Sequence, residues 1–252
     1  MERVEVPEAV RGPVAESMTA LHSRAAGVLE EAIQERSEML GALLQLDRDL
    51  SEWERRLAHK PEGHQLAEAR RHLGWALYTA TTGLYSLAYS ALRVTLELSF
   101  AAVYFSANEL HRRRWVGDRA DFSWGKAIDE NEGVLARAFV IEFNEFAAEE
   151  AGPYASRAQE SYRRCSQFMH GKLAATRTVP TELTYSSDVL NDWIQTGRRV
   201  GEAVLFLLYV RYGEELLKSD ADGKLAATLE HSLGHLKCVR TDLGLPVEGA
   251  ER

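Results

Sequence analysis

His170 follows two arginines at a spacing that suits phosphodiester chemistry. Arg163 and Arg164 precede it within the stretch YASRAQESYRRCSQFMHGK at 154–172. Histidine titrates near neutrality and both takes and gives a proton, and arginine presents a planar fork of donors that matches a phosphate. Metal-free RNA cleavage needs those functions. One group accepts the 2′-hydroxyl proton, one protonates the leaving 5′-oxygen, and a cation stabilises the charge that builds on the phosphorane. One such stretch supplies a single histidine, and two copies facing each other would supply two. In this reading His170 is the acid/base and Arg164 with Arg163 is the phosphate clamp, while Ser166 and Gln167 help to orient substrate. The segment 154–180 carries Arg157, Arg163, Arg164, Lys172 and Arg177 against one acid, Glu160, in a chain of net charge −8. That is the local sign an RNA groove requires. No cofactor and no metal enter this scheme.

The element that positions these residues reads as an amphipathic helix. Gly152-Pro153 stands before it and Gly171 stands near its end, which is helix punctuation on both sides. At 100° per residue Phe168, Cys165, Met169 and Tyr162 share an arc of about 120°. His170 and Arg163 stack about 20° apart on the opposite face, with Arg164 on the flank. A second helix, within 84–105 (LYSLAYSALRVTLELSFAAVYF), is apolar nearly all round and must be central. Its exceptions, Ser86, Ser90, Arg93 and Glu97, fall on one stripe. Two readings stand for that stripe: an Arg93–Glu97 pair neutralised where it lies, or a second wall of the site facing the His170 helix.

The phrase YRRCSQFMHG resembles the signature helix of HEPN-like proteins, an all-helical family with an R-x4-6-H pattern found in bacterial abortive-infection and other defence systems. The stretch ALRVTLE is similar to the neighbouring helix of that family. The resemblance covers roughly residues 84–212. It implies a HEPN-like bundle and metal-independent RNA cleavage in a dimer with a composite site, in a bacterial defence or stress response. It also allows a non-catalytic sensor or interaction subunit of a multi-protein defence complex. Cys165 follows Arg164 where active members often carry Asn, Asp or His.

Composition sets the outer bounds. The chain has 252 residues, 45% hydrophobic and 27% charged, which suits one large domain with a substantial core. The acidic balance argues against a nucleic-acid coat or a binder of anionic membranes. Cys165 and Cys238 have neither metal spacing nor a disulfide framework, and the N-terminal residues lack the apolar stretch of a signal peptide, so a cytoplasmic protein is expected. No apolar run is long enough to span a bilayer. The pairs and motifs of di-iron, zinc, nucleotide and hydrolase sites are missing. His231 and His235 have the spacing of a zinc helix, but Ser232 occupies the position of its glutamate.

No stretch alternates with period two, so the expected fold is all-α. A long N-terminal helical extension (1–60) precedes the bundle (61–245), and a loose tail (246–252) follows it. The extension reads as one helix or two broken near Gly41. A further helical run extends to about 107 with a kink at Thr81-Thr82-Gly83, and amphipathic helices are expected over 129–150, 187–218 and 224–238. The densest basic patch, Arg112, Arg113 and Arg114 beside Trp115 and Trp124, suits phosphate contact and base stacking, although Glu109, Asp118 and Asp121 are interleaved.

Overall fold

The computed structural model describes residues 8–247, with side chains from Arg11 onward. Every regular element among them is helical, and none is a strand. The first 50 residues of this span form α1 (Glu8–Leu57), two helical segments joined by a kink at the non-helical Arg36 (φ −135°, ψ 19°) rather than near Gly41. The Arg36 guanidinium hydrogen-bonds the Ser187 hydroxyl at that bend.

α2 (Gly63–Thr81) and α3 (Tyr85–Ala107) follow. The expected kink between them is a full break. Gly83 takes φ +83°, and the Leu84 and Gly83 amides close back on the Thr79 and Ala80 carbonyls at 2.8 and 3.3 Å. That Schellman turn needs a residue in the left-handed region, which glycine enters without a Cβ clash. α2 and α3 therefore pack along each other as a hairpin. Most of the apolar surface of α3 is buried, including Leu92, Leu96, Phe100 and Val103, while Leu87 in its first turn is exposed.

α4 (Glu109–Val116) and α5 (Trp124–Ala127) lie on the edge of α3. The helix expected over 129–150 does not form as one piece. α6 (Arg137–Phe143) and a 3₁₀ turn (Glu145–Ala147) occupy only part of it. The Asp129 carboxylate accepts the Asn131 and Glu132 amides, and Asn144 caps the 3₁₀ turn through the Ala147 amide. Short polar side chains that bond nearby amides compete with helix, and the apolar spacing alone hid that competition.

α7 (Ala151–Met169) then crosses α3, a single turn α8 (Leu173–Thr176) follows, and α9 (Ser187–Leu217) runs back through the centre. α10 (Lys224–Leu233) and α11 (Lys237–Asp242) divide what the sequence suggests as one last helix, with Gly234 between them. Contacts fix the directions. Tyr89 meets Phe168 and Glu97 meets Tyr162, so α3 and α7 are antiparallel. Arg164 meets Asp192 and Tyr154 stacks on Phe206, so α7 and α9 are antiparallel as well.

The boundary placed at residue 60 does not separate two bodies. From Val28 to Leu57 α1 contributes Ala32, Leu43, Leu46, Trp53 and Leu57 to the one continuous core. Trp53 is fully buried, and its indole donates to the Thr228 hydroxyl at 3.1 Å. α9 allows close approach there, since a Cβ on Gly201 would meet Leu46 Cδ2 at 1.9 Å. Before Val28 the apolar side chains Val14, Met18 and Leu21 are exposed, and Arg24 reaches Glu182 at 3.5 Å. The first seven residues of the extension and residues 248–252 of the tail lie outside the described part, while Pro246 is tied back through its carbonyl to Arg240 at 2.6 Å.

Candidate functional site

α7 ends at Met169, three residues before the expected limit, in the same kind of turn as α2. The Lys172 amide donates to the Gln167 carbonyl at 2.9 Å and the Gly171 amide to the Phe168 carbonyl at 3.1 Å, with Gly171 at φ +59°. His170 is the capping residue of that turn. A left-handed glycine immediately after it fixes where its backbone points. The imidazole is exposed and has no hydrogen-bond partner among the described residues. Arg163, two turns earlier, is also exposed and also without a partner there. Lys172 and Arg177, just past the cap, share that condition.

Arg164 is placed differently. Its Nε and Nη2 donate to Asp192 Oδ2 on α9 at 3.0 and 2.7 Å, and its guanidinium lies 4.9 Å from the centre of the Phe168 ring. The same Asp192 oxygen takes the Tyr89 hydroxyl, and Tyr89 stacks flat on Phe168 with ring centres 3.8 Å apart. Three helices meet in that cluster. Burial and the bond to Asp192 push the Tyr89 hydroxyl well above its ordinary range.

The polar stripe of α3 faces α7. Arg93 donates to Glu97 Oε1 at 3.0 Å and to the Tyr162 hydroxyl at 2.6 Å, and its Nη1 lies 2.8 Å from Met169 Sδ. The Tyr162 hydroxyl donates to the same Glu97 oxygen at 3.1 Å, and its ring stacks on Trp124 at 4.3 Å. Burial first, and then the Glu97 charge, raise the Tyr162 hydroxyl above its usual range. Arg93 and Glu97 thus stand against the His170 helix and neutralise each other there, so both sequence readings describe part of the arrangement. The residues they touch are Tyr162 and Met169.

The intervening side chains are already engaged. The Ser166 hydroxyl donates to the Tyr162 carbonyl at 2.7 Å, and Gln167 Oε1 accepts from Arg164 at 3.4 Å. Cys165 is buried, and burial lifts its thiol to about 12, which removes it as a nucleophile.

α4 gives the other basic cluster. Arg112 and Arg113 both grip Glu109, at 2.7 and 2.6 Å, while Arg114 is exposed without such a partner. Trp115 packs on Phe105 and Trp124 on Tyr162 and Phe100, which leaves both indoles half-buried. A concavity of about 650 Å³ beside α4 is lined by Tyr104, His111, Lys126 and Glu142, and is separate from His170.

Asp192, Tyr89 and Tyr162 escaped the sequence reading. They touch their partners only across helices, and no local pattern marks them. Asp49 escaped too. It is a buried carboxylate that accepts the Ser232 hydroxyl at 2.9 Å and lies 2.9 Å from His231 Nδ1. His231 therefore serves the α1–α10 contact, and His235 lies 3.4 Å from the Tyr154 hydroxyl. Among the described residues no three metal-ligating side chains gather, and no helix is long and apolar enough to cross a membrane.

No protein-family model, curated protein or solved structure matches this chain.

Proposed function

We propose that the end of α7 is a metal-independent RNA-cleaving surface with His170 as the acid/base. The observation that carries this reading is the pairing of an exposed, unpartnered His170 with an exposed, unpartnered Arg163 on one helical face. Arg163 takes the role of phosphate clamp, supported by Lys172, because its guanidinium has no carboxylate to satisfy. Arg164 enters as a positioning residue that locks α7 to α9 through Asp192. Arg93 and Glu97 hold Tyr162 and Met169 beneath the turn. His170 and Arg163 are about 10 Å apart along the axis, and one chain supplies a single imidazole at this face. Cleavage accordingly uses His170 from each of two copies facing each other. One imidazole takes the 2′-hydroxyl proton as that oxygen attacks phosphorus, and the other protonates the departing 5′-oxygen. The defence or stress setting comes from the HEPN-like phrase at 162–171.

A second reading has its own observation. Met169 and Leu173 flank His170 and are exposed, Leu173 at 76%. An apolar rim around a polar centre also suits the docking face of a non-catalytic subunit.

The test is cleavage of single-stranded RNA by the purified chain in EDTA. His170→Ala and Arg163→Ala are each expected to lower the rate by about 100-fold or more, while the folded Arg112→Ala/Arg113→Ala variant stays within a few-fold of wild type. Cleavage indifferent to His170 would remove the catalytic role. No cleavage at any concentration would leave the docking reading in possession of the surface.

A further inference from the structure

The first part of α1 carries a continuation of the core seam that nothing among the described residues covers. Within the bundle, α1 buries Val28 and Ala32, then Leu43, Leu46, Leu50, Trp53 and Leu57. Upstream the same series continues through Ala25, Leu21, Met18 and Val14, in alternating steps of three and four residues. That is a heptad seam, narrower than the stripe of an ordinary surface helix. The one irregularity falls between Ala32 and Met39, where two steps of four in succession reach Arg36. An inserted four-residue step locally unwinds a seam, and the axis bends at Arg36. Val14, Met18 and Leu21 are 55%, 56% and 44% exposed, whereas Val28 is 4% exposed. One seam is thus closed against the bundle in its second part and open in its first.

We infer that this arm pairs with the arm of a second copy of the chain. A helix of about 20 residues without tertiary contacts is marginal in water, and this one contains Gly12, Pro13 and Gly27. A packed partner resolves that instability. A strict heptad seam fits another helix with the same seam, and every second copy brings one. The charges allow it as well. The positions beside the seam are Ala15, Ser17, His22 and Arg24, and residues 11–28 hold only Arg11, Glu16 and Arg24 as formal charges. Two arms thus meet without the repulsion that the −8 of the whole chain would otherwise bring.

The arm also leaves the bundle at the end where His170 lies. Arg24 reaches Glu182 at 3.5 Å, and Val28 packs over Gly83 in the turn that opens α3, next to the Tyr89–Phe168 stack. A parallel pairing of the arms would bring the two His170 ends to one side. The pairing itself rests on the open seam and not on RNA cleavage.

The experiment is sedimentation velocity of the full chain across a concentration series, with far-UV circular dichroism on each variant. Wild type is expected at twice its 28.3 kDa, falling apart on dilution. Met18→Glu/Leu21→Glu is expected at the single-chain mass with its cooperative unfolding transition intact, since both side chains lie outside the core. Val14→Glu, a milder change at the outer end of the seam, should dissociate at a higher concentration than wild type. Phe146→Glu removes an exposed apolar side chain elsewhere and should leave the doubled mass unchanged. A wild type that stays at the single-chain mass to its solubility limit overturns the inference, as does a doubled mass that survives the Met18/Leu21 change. RNA cleavage is read separately: a dimer that cleaves nothing keeps the pairing and removes the cleavage reading.

Discussion

α4 and the end of α7 look alike in sequence and are used differently. Each combines neighbouring arginines, a histidine and aromatic residues. In α4 two of three guanidiniums are neutralised by Glu109, and the adjacent tryptophans are committed to packing. At the end of α7 one arginine is tied to Asp192, but Arg163, Lys172 and His170 face outward with no partner among the described residues. Counting arginines along a segment therefore overstates both clusters, and α4 the more. What matters for an anion is the charge left after intramolecular pairing, and that depends on which helices are neighbours.

The comparison can be broken in three further ways. The largest effect is expected from Trp124→Ala. Its ring supports Tyr162, which in turn holds Arg93 and Glu97, so unfolding in urea should show a loss of about 3 kcal/mol. If the variant instead kept its stability and lost RNA affinity, Trp124 would be a stacking platform and α4 the better candidate surface.

A smaller effect separates the two adjacent arginines. Asp192→Ala leaves the Arg164 guanidinium and the Tyr89 hydroxyl without their acceptor, at a cost of about 1–2 kcal/mol. Arg163→Ala should fall within about 0.5 kcal/mol of wild type in the same urea titration. Equal costs would mean that Arg163 is structural too, and the unpartnered face would be lost as an argument.

The smallest effect concerns acid. Hydrogen bonds from Arg112 and then Arg113 hold the exposed Glu109 carboxyl at about 2, below its ordinary 4.5. A depressed folded value contributes stability above the unfolded value and loses it as pH falls toward the folded one. Ordering of α4 should therefore weaken as pH falls from about 4.5 to about 2, which a Glu109 carboxyl titration by NMR would follow. An ordinary midpoint for Glu109 would show that the α4 arginines are free in solution.

Much of the architecture was legible because it depends on local chemistry. The apolar run 84–105 announced a buried helix, Gly171 stood near a helix end, and the lack of alternation pointed to an all-α fold, whereas Gly83, read as a kink, is a full break. The helix expected over 129–150 failed for a local reason as well, since Asp129 and Asn144 bond nearby amides where the apolar spacing suggested continuity. The site was only half legible. Helical geometry placed His170 and Arg163 on one face, and the stripe on α3 left open whether Arg93 and Glu97 neutralise each other or face α7, both of which occur. It could not say that Arg164 rather than Arg163 would meet a carboxylate, because Asp192 lies 28 residues away on another helix.

The sequence by itself determined the all-helical class, the glycine punctuation near the end of α7, and the face on which His170 lies, since each follows from spacing and backbone preference within one segment. Tertiary structure alone decided which cations remain available, that α1 enters the core at Val28, and that its seam stays open before that point. Those outcomes depend on which distant side chains arrive within hydrogen-bonding or van der Waals reach.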